Sequence, residues 1–130
     1  MEPRARILVV DDCGDQAESL GTLLRAMGHD ARVATGGFEA LEIATTFEPE
    51  VVLLDLGMPE MDGYEVARRI RDQAWANDVL IVAVTGQARQ DVPRSDEAGF
   101  DLHLVKPVVR DALSSLLRHR RPPLGNLSHG

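Results

Sequence analysis

The sequence predicts an α/β protein built on a doubly wound, five-stranded parallel sheet of strand order 2-1-3-4-5, with helices on both faces. Two observations carry this prediction. Five short apolar runs alternate with helix-like segments along a chain of 130 residues. Three of the runs are continuous and rich in valine, isoleucine and leucine, as in strands buried on both faces. Because right-handed crossovers between parallel strands leave few topologies, this alternation favours the 2-1-3-4-5 order.

The apolar runs and stripes give the individual elements. The predicted strands are Ile7–Val10, Ala31–Ala34, Val51–Leu54, Val79–Val84 and Asp101–Val105. Apolar residues at helical spacing form four stripes, which predict four helices. These stripes are Leu20, Leu23, Leu24 and Met27; Phe38, Leu41, Ala44 and Phe47; Val66, Ala67 and Ile70; and Val109, Leu113, Leu116 and Leu117.

Several helix ends are also marked in the sequence. Gly28 suits the C-terminal cap of the first helix. Pro49 requires the second helix to end before it. Asp62, followed three residues later by Glu65, has the pattern of a capping box at the start of the third helix. Residues 87–98 predict a further helix between the last two strands, which Pro93 interrupts and Gly99 closes.

Length and composition indicate one globular domain. We expect residues 1–118 to form the domain and residues 119–130, which are polar and rich in proline, to form a flexible tail. No apolar run approaches the roughly 20 residues that a membrane span needs. A single cysteine, Cys13, excludes an internal disulfide framework. We therefore expect a cytoplasmic protein without a membrane partner.

The charge distribution argues against a nucleic-acid partner. The chain carries a formal net charge of −7. Residues 7–117 hold nine basic and twenty acidic residues. Nucleic-acid binding needs a basic face, and this part of the chain has none.

Residues with chemical function follow the predicted strands. Asp11 and Asp12 come after strand 1, Asp55 after strand 3, Thr85 after strand 4 and Lys106 after strand 5. In open α/β sheets, ligands bind at the carboxyl edge near the switch point in strand order. In the 2-1-3-4-5 order that point lies between strands 1 and 3, the two strands that deliver the three carboxylates.

These residue types suit phosphoryl transfer to an aspartate. Three neighbouring carboxylates repel one another, and a hard divalent cation such as Mg²⁺ relieves that repulsion. We expect Asp12 to bind the metal directly and Asp11 to bind it directly or through water. Asp55, alone at the end of the central strand, is the expected nucleophile. Lys106 is the only lysine among fourteen basic residues, and its ammonium is expected to neutralise phosphoryl oxygens.

Five motifs in order resemble the response-regulator receiver family over about residues 5–118. They are Ile-Leu-Val-Val-Asp11-Asp12, Val-Val-Leu-Leu-Asp55-Leu-Gly-Met-Pro59, Met61-Asp62-Gly63, Val84-Thr85-Gly86 and Val105-Lys106-Pro107. The resemblance implies a flavodoxin-like fold. It also implies transfer of a phosphoryl group to Asp55 from a phosphohistidine on a histidine kinase or a histidine phosphotransfer protein.

The resemblance further implies a metal site and a switch. Asp11, Asp12, Asp55 and the backbone carbonyl of Gly57 would hold Mg²⁺, for which Mn²⁺ is an alternative. Thr85 would move toward the phosphoryl group, and this movement would be coupled to His103, which stands where the family often has tyrosine or phenylalanine.

The implied role is that of a signalling phosphoacceptor that catalyses only its own phosphorylation and dephosphorylation and that regulates a downstream protein. A weak or phosphorylation-dependent dimer is compatible with it. Gly99-Phe100-Asp101, before the last strand, resembles receivers attached to hybrid histidine kinases.

Two other functional classes are alternatives to this one. Phosphatases of the haloacid dehalogenase type also use a strand-end aspartate, but they need a second acid two residues later, where this chain has Gly57. An interaction module that has lost phosphorylation is the other alternative. The presence of all three acids together with Thr85 and Lys106 argues against it.

Overall fold

A computed structural model describes residues 4–56, 63–85, 100–106 and 108–118. The strands are Arg6–Val10 (β1), Asp30–Ala34 (β2), Val51–Asp55 (β3), Leu80–Thr85 (β4) and Leu102–Val105 (β5). The α-helices in the described residues are Gly14–Ala26 (α1), Gly37–Phe47 (α2), Gly63–Arg71 (α3) and Arg110–Arg118 (α4). A 3-10 helix, Ala74–Asp78, lies between α3 and β4.

The sheet has the predicted topology. Its five strands are all parallel and lie in the order β2-β1-β3-β4-β5. In the register of the sheet, Val10 lies beside Leu54, and Asp55 lies beside Val84. This register brings the carboxyl ends of β1, β3 and β4 to one edge of the sheet.

The core consists of two layers, one on each face of the sheet. Alternate residues of β1 and β3 point to opposite faces, as the period of a strand requires. Ile7, Val9, Val51 and Leu53 pack with buried residues of α1 and α4. Leu8, Val10, Val52 and Leu54 pack with buried residues of α2 and α3. Since both faces are covered at the centre of the sheet, residues 7–10 of β1 and residues 51–54 of β3 are apolar without interruption, and this is the pattern that predicted a parallel sheet.

In the described residues, α1 and α2 end where the sequence signals predict. Gly28 has φ of +98°, a left-handed conformation that glycine adopts without strain, and it ends α1 as predicted. α2 ends before Pro49, also as predicted, with Glu48 in the left-handed region at φ of +47°. Its backbone N–H donates to the carbonyl of Ala44, which closes the last turn of the helix.

Two residues of the predicted apolar helix stripes are exposed. Phe38 is 60% exposed and Val109 is 52% exposed. Ala40, Ala44 and Phe47 are the buried face of α2, and Phe38 lies two residues before Ala40, on the opposite side of the helix. Val109 precedes α4, which begins at Arg110, so Val109 is not part of the apolar stripe of that helix.

The 3-10 helix was not predicted from sequence, and side-chain hydrogen bonds from Arg71 to main-chain carbonyls hold it. The guanidinium of Arg71, at the end of α3, donates to the carbonyls of Ala76 and Val79 at 3.2 and 2.9 Å. It also contacts Asp101 Oδ2 at 2.8 Å, and the same oxygen accepts the N–H of Ile81. These contacts join α3 to the first residues of β4 and to the residue before β5.

Some predictions lie outside the described residues: Asp62 as a helix cap, the helix over 87–98 and the tail over 119–130. Glu65, the other half of the expected capping box, contacts Arg68 and Arg69 at 3.3 and 3.2 Å. In the part of the chain that the structure describes, no helix is both long and apolar enough to cross a membrane.

Candidate functional site

The sheet brings the sequence-predicted site residues together at its carboxyl edge. Asp11 and Asp12 directly follow β1, Asp55 is the last residue of β3, and Thr85 is the last residue of β4. Lys106 directly follows β5, and its backbone N–H donates to the carbonyl of Thr85 at 2.8 Å. The parallel register thus sets all five residues on one side of the molecule.

Three carboxylates form a compact oxygen cluster. Asp11, Asp12 and Asp55 each offer an oxygen, and these oxygens lie within 4.8 Å of one another. Asp11 and Asp55 are each 8% exposed, whereas Asp12 is exposed to solvent. Hard oxygen ligands that leave one side open to water suit Mg²⁺, which keeps several of its own waters. The residues present therefore fit a magnesium ion.

The two oxygens of Asp11 have different partners. Oδ1 accepts the backbone N–H of Cys13 at 2.9 Å, which fixes the carboxylate against the turn into α1. Oδ2 faces the ammonium of Lys106 at 3.6 Å. The acid at this position is thus oriented by the main chain before any ligand binds.

Lys106 places a positive charge against the acid cluster. Its Nζ lies 3.6 Å from Asp11 Oδ2 and 3.7 Å from Asp55 Oδ2. Its side chain is 31% exposed, so solvent screens these attractions in part. Gln16 Oε1 accepts a hydrogen bond from the same ammonium at 3.3 Å. The sequence does not mark Gln16 as a site residue, because a polar residue in the first turn of a helix carries no sign of a distant partner.

Thr85 and His103 occupy neighbouring strands. Thr85 is 5% exposed at the end of β4, opposite Val105 in the register. His103 lies opposite Ala83, is half-buried, and its ring centroid lies 6.4 Å from that of Phe100 at an interplanar angle of 42°. Phe100 in turn makes an edge-to-face contact with Tyr64 of α3. His103 therefore joins an aromatic row that reaches α3, and its role as a switch stays a prediction.

Gly63 is a further residue that shapes the site. A Cβ atom at this position would lie 2.8 Å from the carbonyl oxygen of Asp55 and 3.1 Å from Leu56 Cα. α3 thus begins directly against the main chain that carries Asp55. The sequence pointed to Gly63 only as part of a motif, without this contact. Gly57, the expected carbonyl ligand, lies outside the described residues.

Comparison with known proteins decides the family. The family model of the response regulator receiver domain matches residues 7–118 of the sequence. The chain belongs to the response-regulator receiver family. It is a receiver domain of the two-component response regulators, as the five motifs predicted.

Curated relatives are regulators that are longer than this receiver domain. The chain is 39% identical over 120 residues to the transcriptional regulatory protein PrrA of Mycobacterium tuberculosis, covering 88% of this chain and 51% of the relative. It is 38% identical over 117 residues to the DNA-binding response regulator MtrA of the same species, covering 90% of this chain and 50% of the relative. The chain spans about half the length of these relatives, and the DNA binding named for MtrA is a property of that protein.

Solved receivers share the fold over nearly the whole chain. The chemotaxis protein CheY4 of Vibrio cholerae has a TM-score of 0.85 and 26% identity, covering 92% of this chain and 100% of its own. The receiver domain of the sensor histidine kinase PA1611 of Pseudomonas aeruginosa has a TM-score of 0.82 and 29% identity, covering 91% and 98%. That structure has a magnesium ion coordinated in its active-site cleft. The receiver domain described here has its acid cluster at the edge where such a site is expected in this fold.

Proposed function

We propose that this receiver domain accepts a phosphoryl group on Asp55 from a phosphohistidine of a histidine kinase or of a histidine phosphotransfer protein, with Mg²⁺ as cofactor. One observation carries the proposal. The carboxylate of Asp55 ends the central strand, is largely buried, and lies in one cluster with two other acids and the ammonium of Lys106.

The chemistry follows from this arrangement. A carboxylate oxygen of Asp55 attacks phosphorus, a P–O bond forms, and the P–N bond to the donor histidine breaks. A phosphoryl group in transfer spreads negative charge over its oxygens, and positive charge beside them stabilises the transition state. Lys106 supplies such a charge 3.7 Å from Asp55 Oδ2.

Asp11, Asp12 and Asp55, together with the carbonyl of Gly57, would hold Mg²⁺, with Mn²⁺ as an alternative. The bound ion supplies further positive charge and offsets the repulsion between the acids. Thr85 and His103 form the proposed switch, since Thr85 ends β4 beside the site and His103 lies on the adjoining strand.

The proposed role is signalling: phosphorylation alters the surface that a downstream protein binds. Residues 1–118 are the proposed domain and residues 119–130 its tail, and the cytoplasm is the proposed compartment. The excess of acidic over basic residues supports the prediction that this chain itself does not bind nucleic acid. A weak or phosphorylation-dependent dimer is compatible with these proposals.

Incubation with acetyl phosphate and Mg²⁺ tests the phosphoacceptor role. The acyl phosphate transfers its phosphoryl group as acetate leaves, so no kinase needs to be known. We expect intact-mass measurement to show one labile phosphoryl adduct, which is absent when a chelator removes Mg²⁺. Wild-type protein that gains no adduct at saturating Mg²⁺ would contradict the proposal, and an adduct of equal yield in the chelator would contradict the metal requirement.

Thermal unfolding tests the metal site without phosphorylation. Binding to the folded state alone stabilises it by about 2.7 kcal/mol when free Mg²⁺ is 100 times its dissociation constant. We expect millimolar Mg²⁺ to raise the melting temperature and Asp12→Ala to remove most of that rise. Asp72→Ala, which changes an exposed acid at the end of α3, is the control and should keep the full rise. A rise of the same size in Asp12→Ala would exclude Asp12 as a ligand.

A further inference from the structure

We propose that Gln16 is a positioning residue that holds the ammonium of Lys106 at the phosphoacceptor site. This inference rests on the proposed function for its consequence in phosphoryl transfer, but the contact itself can be tested without it. Gln16 lies in the first turn of α1, ninety residues before Lys106 in the chain. The family motifs do not include it.

Gln16 makes the shortest of the three polar contacts that Lys106 Nζ has with these side chains. Nζ lies 3.3 Å from Gln16 Oε1, compared with 3.6 Å from Asp11 Oδ2 and 3.7 Å from Asp55 Oδ2. An ammonium has three N–H donors, and these three oxygens offer it one partner each. Two of these partners are Asp55, the proposed phosphoacceptor, and the neighbouring acid Asp11, and the third is Gln16.

The chain holds Gln16 in place through its backbone. The next residue, Ala17, is fully buried, and its N–H donates to the carbonyl of Cys13 at 3.0 Å. Gln16 and Lys106 both line a cavity of about 680 Å³ between α1 and the end of β5, with Leu20 and Val108 on its apolar wall. A lysine without the Gln16 contact would have room in this cavity to turn away from Asp55.

A neutral amide suits the position of Gln16 better than another carboxylate in contact with Lys106 would. Asp11 and Asp55 attract Lys106 by charge, and a divalent cation bound to the same acids offsets that attraction and repels the ammonium. The amide of Gln16 carries no net charge, so the cation leaves its hydrogen bond to Lys106 intact. Because the amide of Gln16 is neutral, it attracts the ammonium of Lys106 less strongly than negatively charged phosphoryl oxygens do, so Lys106 remains available to them.

The single lysine makes the contact directly observable. Protein labelled with ¹³C-lysine gives NMR signals from Lys106 alone. We expect the two Hε protons of a held side chain to be resolved and the order parameter of Cε to be raised. Gln16→Met keeps the length of the side chain but removes the acceptor, and it should merge the two signals and lower the order parameter. Gln16→Glu keeps an acceptor oxygen and should restore the resolved signals.

Phosphorylation kinetics then test the consequence. We expect Gln16→Met to lower the rate of adduct formation from acetyl phosphate about two- to fivefold, because it removes one solvent-exposed hydrogen bond to an ammonium. The affinity for Mg²⁺ should stay unchanged, since Gln16 is not one of the acids. In a Lys106→Met background, the same substitution should change the rate no further. Ser19→Ala, one turn along α1 in the same cavity, is the matched control and should behave as wild type in both measurements.

Resolved Lys106 signals in Gln16→Met would overturn the proposal, as would a further fall in rate when Gln16→Met is added to Lys106→Met. A wild-type protein that forms no adduct would refute the phosphoacceptor proposal instead. The NMR comparison of Gln16→Met, Gln16→Glu and Ser19→Ala would still decide the contact, because it requires no phosphorylation.

Discussion

Replacing Asp55 with asparagine is expected to abolish the labile phosphoryl adduct altogether. Asparagine has the shape of aspartate, so the end of β3 and its buried surroundings can keep their packing. The amide has no carboxylate oxygen to attack phosphorus, and it removes one of the charges in the acid cluster. The loss is therefore chemical, and the fold should remain.

Intact-mass spectrometry after incubation with acetyl phosphate and Mg²⁺ measures this loss. Asp72→Asn makes the same chemical change at an exposed position and is the matched control, which should form the adduct as wild type does. Circular dichroism should show equal helical content in both variants. An adduct of wild-type yield in Asp55→Asn would assign the phosphoryl group to another residue, with Asp11 and Asp12 the first to examine.

Most of the fold was predictable because its determinants are local in sequence. A strand buried on both faces must be apolar without interruption, so β1, β3 and β4 are visible as runs. Parallel strands all end at the same edge, so the residues that follow the runs must meet there. The clustering of Asp11, Asp12 and Asp55 follows from these two facts, and the structure confirms it.

Features that depend on distances between elements were not predictable. Arg71 holds the 3-10 helix through carbonyls and through Asp101, thirty residues away, and nothing near Arg71 in sequence marks that partner. The contact between Gln16 and Lys106 is hidden for the same reason. Phe38 was wrongly assigned to the core, because a helical stripe read from sequence leaves its phase uncertain by one or two positions.

Gly63 illustrates a different limit. A sequence shows that a residue is glycine but not what would occupy the space of a side chain. In the structure that space is taken by the main chain of Asp55 and Leu56. The motif around Gly63 thus has a physical reason, which is the close approach of α3 to the strand that carries the proposed phosphoacceptor.

We expect Gly63→Ala to destabilise the domain and to impair phosphorylation more than its small size suggests. A real Cβ essentially never lies 2.8 Å from a carbonyl oxygen, and that oxygen belongs to Asp55 itself. Leu56 Cδ2, at 2.9 Å, is the end of a flexible side chain and can move, but Leu56 Cα at 3.1 Å is main chain. Either α3 or the end of β3 must therefore shift. Overpacking of this kind costs about 1–3 kcal/mol, which lowers the melting temperature of a domain of this size by roughly 3–15 °C.

The shift should also reach the chemistry, because Asp55 is displaced through its own backbone. A misplacement of about 1 Å at a reacting group can cost on the order of a hundredfold in rate. Gly14→Ala is the matched control, since Gly14 is the first residue of α1 as Gly63 is of α3, and its nearest neighbour would lie 4.0 Å from the new Cβ. Both substitutions gain the same helix propensity, so the difference between them isolates the steric contact. Thermal unfolding and the rate of adduct formation should place Gly14→Ala close to wild type and Gly63→Ala well below it. Equal stability and equal rates in the two variants would show that α3 can move away without disturbing Asp55.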